Sequence, residues 1–161
     1  MTDLLFAGGN NPAGHYLIRC VPVIGVQSMP EPAAGGPMVV NGPPTFKSGY
    51  TWIKLYGTEG TKTYDEQQQE VDDGEIWNLT ISLFLPGDSA QQRTALAQMV
   101  RHRFVVECQD NTGTWRRVGT KTQSLQLTYR FGVGGPMGSQ RGATLTFQGT
   151  VTAPPPLVTG I

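Results

Sequence analysis

The chain has 161 residues and 17.4 kDa, a size that suits one domain and allows a core without disulfide or metal staples. Lys and Arg total 12 and balance 12 acids, so no overall charge favours nucleic acid or an anionic membrane. With 21 Gly and 12 Pro, about a fifth of the chain is turn-forming, which argues against a helical bundle. No apolar run reaches the roughly 18–20 residues that cross a bilayer, and the start, Met1 to Phe6, lacks the basic, long apolar pattern of an export signal. Synthesis in the cytoplasm and no membrane partner are therefore expected. Cys20 and Cys108 lie far apart, form no metal-type spacing and read as reduced, buried thiols.

In chain order, residues 1–14 read as a flexible arm and His15 to Gln27 as a strand, with Pro22 marking an edge or bulge. Residues 28–49, with Pro30, Pro32, Pro43, Pro44 and Gly35-Gly36, read as a long loop. Tyr50 to Tyr56 reads as a strand, with Tyr50, Trp52 and Tyr56 on one face and Thr51, Ile53 and Leu55 on the other. Residues 57–74 are polar and read as an irregular acidic loop. Trp77, Leu79, Ile81, Leu83 and Leu85 then alternate with Asn78, Thr80 and Ser82, a half-buried strand stopped by Pro86-Gly87.

Asp88 or Ser89 can cap a helix over 90–102, with Leu96, Met99 and Val100 inward and Gln92 and Arg93 outward. Phe104 to Gln109 and Trp115 to Gly119 read as strands joined by an Asp110–Gly113 turn. Leu125 to Phe131 and Thr144 to Val151 alternate apolar and polar residues and predict a long hairpin. Residues 153–161, with Pro154-Pro155-Pro156, read as a stiff extended tail. The pattern predicts a mainly β domain over 15–152, an antiparallel β-sandwich or partly closed β-barrel with one flanking α-helix and long extensions.

Chemistry-bearing patterns are sparse. His15 and His102 have no second ligand at metal spacing, and Cys108 alternates with Phe104 and Val106 as a packed thiol would. The Gly132–Pro136 stretch joins two strands and places no helix N-terminus on a phosphate. Glu70, Asp72, Asp73 and Glu75 lack the alternating acidic pattern of a calcium loop. No enzyme, metal or cofactor is expected. Trp52, Trp77 and Trp115 would make a sugar platform only if exposed.

Charge is segregated. Glu59 to Glu75 holds seven acids against Lys62, a net of −6, while Arg93 to Arg141 holds eight bases against Glu107 and Asp110, a net of +6. Complementary surfaces of this kind favour head-to-tail contacts that close into rings or run on as stacks. The alternative is that the charges intermix in space. Candidate inter-subunit contacts are Glu66, Glu70, Asp72 and Asp73 on the acidic side and Arg116, Arg117, Arg130 and Arg141 on the basic side.

From Tyr50 to Val151 the chain resembles structural proteins of tailed-phage particles, above all the tail-tube, tail and baseplate group. The resemblance rests on the Trp77–Leu85 strand, the capped helix, the stretch Phe104-Val105-Val106-Glu107-Cys108-Gln109-Asp110-Asn111-Thr112-Gly113-Thr114-Trp115 and the closing Leu145-Thr146-Phe147-Gln148-Gly149. It implies a virion subunit that forms rings or stacked rings, contacts other virion proteins and encloses a channel through which DNA passes. Glu70, Asp72 and Asp73 facing such a channel would repel DNA and let it slide. A capsid-decoration or head–tail joining protein and a carbohydrate-binding module are the other readings.

Overall fold

The computed structural model describes residues 17–33, 36–110, 113–135 and 140–160. The expected arm over 1–14 lies outside the described residues.

The strands are β1 (Leu17–Pro22), β2 (Val26–Ser28), β3 (Val39–Asn41), β4 (Thr45–Phe46), β5 (Ile53–Leu55), β6 (Thr63–Val71), β7 (Gly74–Pro86), β8 (Arg103–Gln109), β9 (Trp115–Val118), β10 (Leu125–Val133), β11 (Arg141–Val151) and β12 (Leu157–Thr159), with one helix, α1 (Ala90–Met99). The fold is mainly β and sandwich-like, and the main sheet does not close into a barrel.

β8 organises the sheet. One side pairs with β1, which carries β5. The other side is shared: Val106 to Gln109 pair with β9, while Arg103 and Phe104 pair with the start of β10. From β10 the sheet runs on, antiparallel, through β11, β7 and β6. From β9 it runs through β12 to β3, which lies parallel to β12.

Alternation aims one side chain in two inward from both flanks. Ile18, Cys20, Ile53 and Leu55 therefore meet Leu79, Ile81, Leu83, Phe104, Val106, Leu127, Leu145 and Phe147 in one core. Phe104 and Phe147 pack edge to face there, with ring centroids 5.6 Å apart. Ser89 Oγ accepts from the Gln92 backbone N–H at 3.2 Å and starts α1, which lays Leu96 and Met99 on the same core. The helix ends at Met99 rather than 102, and Gln92 points inward. Its amide donates to the Pro86 carbonyl at 3.4 Å, so a polar side chain is buried by a backbone partner that periodicity does not reveal.

Five further expectations are corrected. The 57–74 segment is not an irregular loop, because Thr63 to Val71 form β6, paired with β7 from Thr63↔Ser82 to Val71↔Gly74. The 15–27 strand is broken by a tight turn at Val23–Gly25, and β5 is shorter than Tyr50–Tyr56. The 28–49 loop carries β3 and β4. The 153–161 tail does not project: beyond its prolines, β12 is held between β3 and β9. β2, β4 and the residues beside them thus form a second layer over the outer face of β1 and β8, where Val23, Met29, Phe46 and Trp52 pack around Val21, Val26 and Val105.

Candidate assembly surfaces

Beneath that second layer lies the densest polar cluster. Glu107 is fully buried in β8. Its Oε2 accepts from Arg19 Nε and Nη2 at 2.8 and 2.6 Å, and its Oε1 accepts from Arg117 Nε at 2.8 Å. Arg117 also donates to the carbonyls of Gly42 at 2.9 Å and Pro30 at 3.5 Å, tying the overlying segments to the sheet. The Arg19 guanidinium lies between Trp52 and Trp115, 4.8 and 4.3 Å from their ring centroids. Arg19, Glu107 and Arg117 share the outer face because their strands pair in register, Arg19↔Glu107 and Glu107↔Arg117. With both carboxylate oxygens occupied, the cluster is a fastener. The sequence signal was an acid in the middle of the apolar run Phe104 to Cys108.

Arg117 is accordingly corrected as an inter-subunit contact, since its side chain is 2% exposed and spent on Glu107. Arg116, its neighbour, points to the other face. It donates to Asp110 at 2.9 Å and lies 5.9 Å from the Tyr64 ring of β6, among the acidic strand's own residues. Arg141 donates to Asp88 at 3.1 Å, and Arg93 binds the same carboxylate. These two guanidiniums hold Asp88 down to about 2. Arg130 is exposed on β10 with no partner among the described residues. The four arginines are therefore not brought together, and the charge segregation is partly undone by local pairing.

The four acids do come together. Glu66 and Glu70 lie on β6, and Asp72 and Asp73 form the turn into β7, all exposed. Glu66 accepts from the Tyr64 hydroxyl, whose titration is pushed up by burial and then by that bond. Asp65, Glu70, Asp72, Asp73 and Glu75 have no counter-ion among the described residues. Glu70 stands directly opposite Glu75, a like-charge cross-strand pair that costs stability until a cation is supplied.

β6 is also an open edge. Its far side has no strand partner among the described residues, and Asp65 to Glu70 are exposed on both faces. A second open edge lies on β10. On its side away from β11, only Leu125 and Gln126 are paired, and Leu127 to Val133 have no ladder partner among the described residues. Arg103 stands at the base of that edge and Arg130 along it, both exposed and unpaired among the described residues. The four-stranded section β6-β7-β11-β10 thus ends in an acidic open edge and a basic open edge. Between them its outer face carries Asn78, Thr80, Ser82, Phe84, Thr144, Thr146, Gln148 and Thr150, with Asp65 and Arg130 on the same face at its two borders.

The remaining candidates are packed. Burial pushes the Cys108 thiol up to about 12, which makes it a poor nucleophile. Trp77 packs against the core, and Trp52 and Trp115 each give a face to Arg19. No described helix is long and apolar enough to cross a membrane. Comparison with protein-family models, curated proteins and solved structures gives no match.

Proposed function

We propose that the chain is a non-enzymatic structural subunit of a tailed-phage or phage-like particle, which self-assembles into rings or a stacked tube and resides in the virion. The observation that carries this reading is the pair of open, oppositely charged edges on one four-stranded sheet. An unpaired strand is a template for another chain, and folds that remain monomeric blunt such edges with lysine, proline or a cover. β6 has no proline or lysine, and its acids Asp65, Glu66 and Glu70 repel a like edge while suiting a basic one. Laying β6 of one copy on the Leu127–Val133 edge of the next continues the ladder and brings the acidic β6–β7 hairpin beside the edge that carries Arg103 and Arg130. The contact uses different surfaces on the two copies, so it is head-to-tail and closes when the rotation closes. The face rich in hydroxyls and amides then lines one side of the ring wall, with Asp65 of one copy beside Arg130 of the next, a surface over which DNA slides without being held.

Complementary charge reversal tests this. Glu70→Lys with Asp72→Lys and Asp73→Lys, or separately Arg103→Glu with Arg130→Glu, is expected to leave the chain monomeric in light scattering. An equimolar mixture of the two is expected to assemble, because every contact is then again between opposite charges. Assembly of either variant alone at wild-type concentration overturns the edge contact. Wild-type chain that binds only a preformed capsid or tail lattice favours the decoration or head–tail joining reading. The carbohydrate-binding reading is disfavoured by the covered faces of Trp52 and Trp115.

A further inference from the structure

β12 lies in a slot between β3 and β9, where Leu157 pairs with Val39 on one side and with Arg116 on the other. The Leu157 N–H donates to the Met38 carbonyl at 2.9 Å, the Arg117 N–H to the Pro156 carbonyl at 3.0 Å, and the Gly42 N–H to the Thr159 carbonyl at 2.8 Å. Of the β12 side chains only Val158 is buried. Most of what holds β12 is therefore backbone ladder, which the same strand from another copy makes equally well.

The segment that delivers β12 is built as an arm. The backbone bends at Thr152 and Ala153, directly after β11, and Pro154, Pro155 and Pro156 then set an extended rod. The bend is clasped at the surface. Thr152 N–H donates to Gln123 Oε1 at 3.1 Å, and Gln123 Nε2 donates to Thr152 Oγ1 at 3.0 Å, bonds that water replaces at little cost. Behind the rod the packing is incomplete, because the prolines wall an apolar pocket of about 70 Å³ that Met29, Met38 and Val151 also line. Atoms around such a space lack partners on one side, so closing the arm onto its own sheet gains less than a flush fit would. The six steps from Val151 to Leu157 reach up to about 20 Å, roughly the width of four paired strands.

We infer that on assembly the arm swings out at the Thr152–Ala153 bend and β12 of one copy fills the slot between β3 and β9 of the adjacent copy. The occupant is β12 of a second copy because the ladder partners of the slot and its seat for Val158 already fit that sequence. Exchange keeps each of these contacts and opens only the bend, which is why swapping an identical element is a low-cost route to an oligomer. The slot is preorganised, since Glu107 fixes Arg117 and Arg117 in turn holds the Gly42 carbonyl at the end of β3. The edge contact proposed above repeats a section four strands wide, which brings the adjacent slot within the span of the arm. That contact joins neighbours through an open edge and its charges, whereas the exchanged strand ties them through the chain itself.

This inference rests on the self-assembly reading, and the test separates the two. Val39 and Leu157 are register partners, each 38% exposed, so a thiol pair there reports which chain fills the slot. Val39→Cys with Leu157→Cys in one chain is assembled, oxidised and run on a denaturing gel without reductant. The expected result is a shift to covalent dimers and longer multimers, which reductant returns to monomer. The same chain oxidised at a dilution that keeps it monomeric is expected to close on itself. The native thiols are buried and take no part. As a second measurement, Val39→Cys chains and Leu157→Cys chains are mixed before assembly, and a covalent dimer is expected from the mixture but from neither alone. Assemblies that form normally yet give only self-closed monomer, or no dimer from the mixture, overturn the exchange and leave the edge contact standing. Multimers from the double-cysteine chain, with charge-reversed variants that assemble as wild type does, overturn the edge contact and support the exchange. Wild-type chain that never assembles overturns both.

Discussion

At the scale of single residues, Glu107 decides how the second layer is held. Two guanidiniums converge on one carboxylate that has no access to water, so removing the carboxylate leaves cations buried without compensation. Glu107→Ala is expected to cost about 3–5 kcal/mol in urea unfolding. Cys20 and Cys108 are expected to resist a disulfide reagent in the native state and react on unfolding, because both are buried and the Cys108 thiol stays protonated. Rapid native labelling of either contradicts the packing. The pairing of Cys108 with Phe104 and Val106 was legible from alternation. The fate of Arg117 was not, because Arg116 and Arg117 are adjacent, chemically identical and on opposite faces, and only strand register assigns them. Trp52 likewise reaches Arg19 across a long sequence separation that no local pattern encodes.

At the scale of elements, Asp88 joins the start of α1 to the hairpin by binding Arg93 and Arg141 together. Its folded titration near 2 lies below the ordinary value of 3.8, so its contribution is complete above about pH 4 and is lost as pH falls toward 2. The stability gap between wild type and Asp88→Asn, read from urea midpoints, is therefore expected to be small, constant from pH 5 to 7, and to narrow steadily from pH 4 toward pH 2. A gap that widens on acidification contradicts the pairing. β7, β10, β11 and the core of α1 were readable because each buries one face, and burial imprints a period on sequence. β6 was hidden for the opposite reason. From Asp65 to Glu70 neither face is buried, so no alternation marks it, and its existence depends on β7 supplying the ladder. The short β3, β4 and β12 were masked by prolines beside them, and tertiary pairing overrides that local signal.

At the scale of the whole molecule, net neutrality conceals an arrangement. Arg93 and Arg141 neutralise Asp88, Arg116 neutralises Asp110, and Arg19 and Arg117 share Glu107. On the β6-β7-β11-β10 section this leaves acid on the β6–β7 hairpin and Arg103 and Arg130 at the β10 edge, at opposite edges. The sequence displayed the two charged blocks but could not show which members cancel locally, because that depends on pairings such as Asp88 with Arg141, 53 positions apart. The surviving charges are exposed and screened by salt, with a Debye length near 8 Å at physiological ionic strength. Assembly is accordingly expected to weaken as salt rises from about 50 mM to 1 M, whereas assembly that strengthens with salt would place apolar stacking ahead of charge. The decisive measurement is mass by light scattering after size exclusion, with negative-stain images of the same fractions, over a concentration series of wild type, the two charge-reversed variants and their mixture. Rings or tubes from wild type and from the mixture, with monomers from each variant alone, are the predicted result. A wild-type chain that remains monomeric at the highest concentration, or variants that assemble as wild type does, would contradict it.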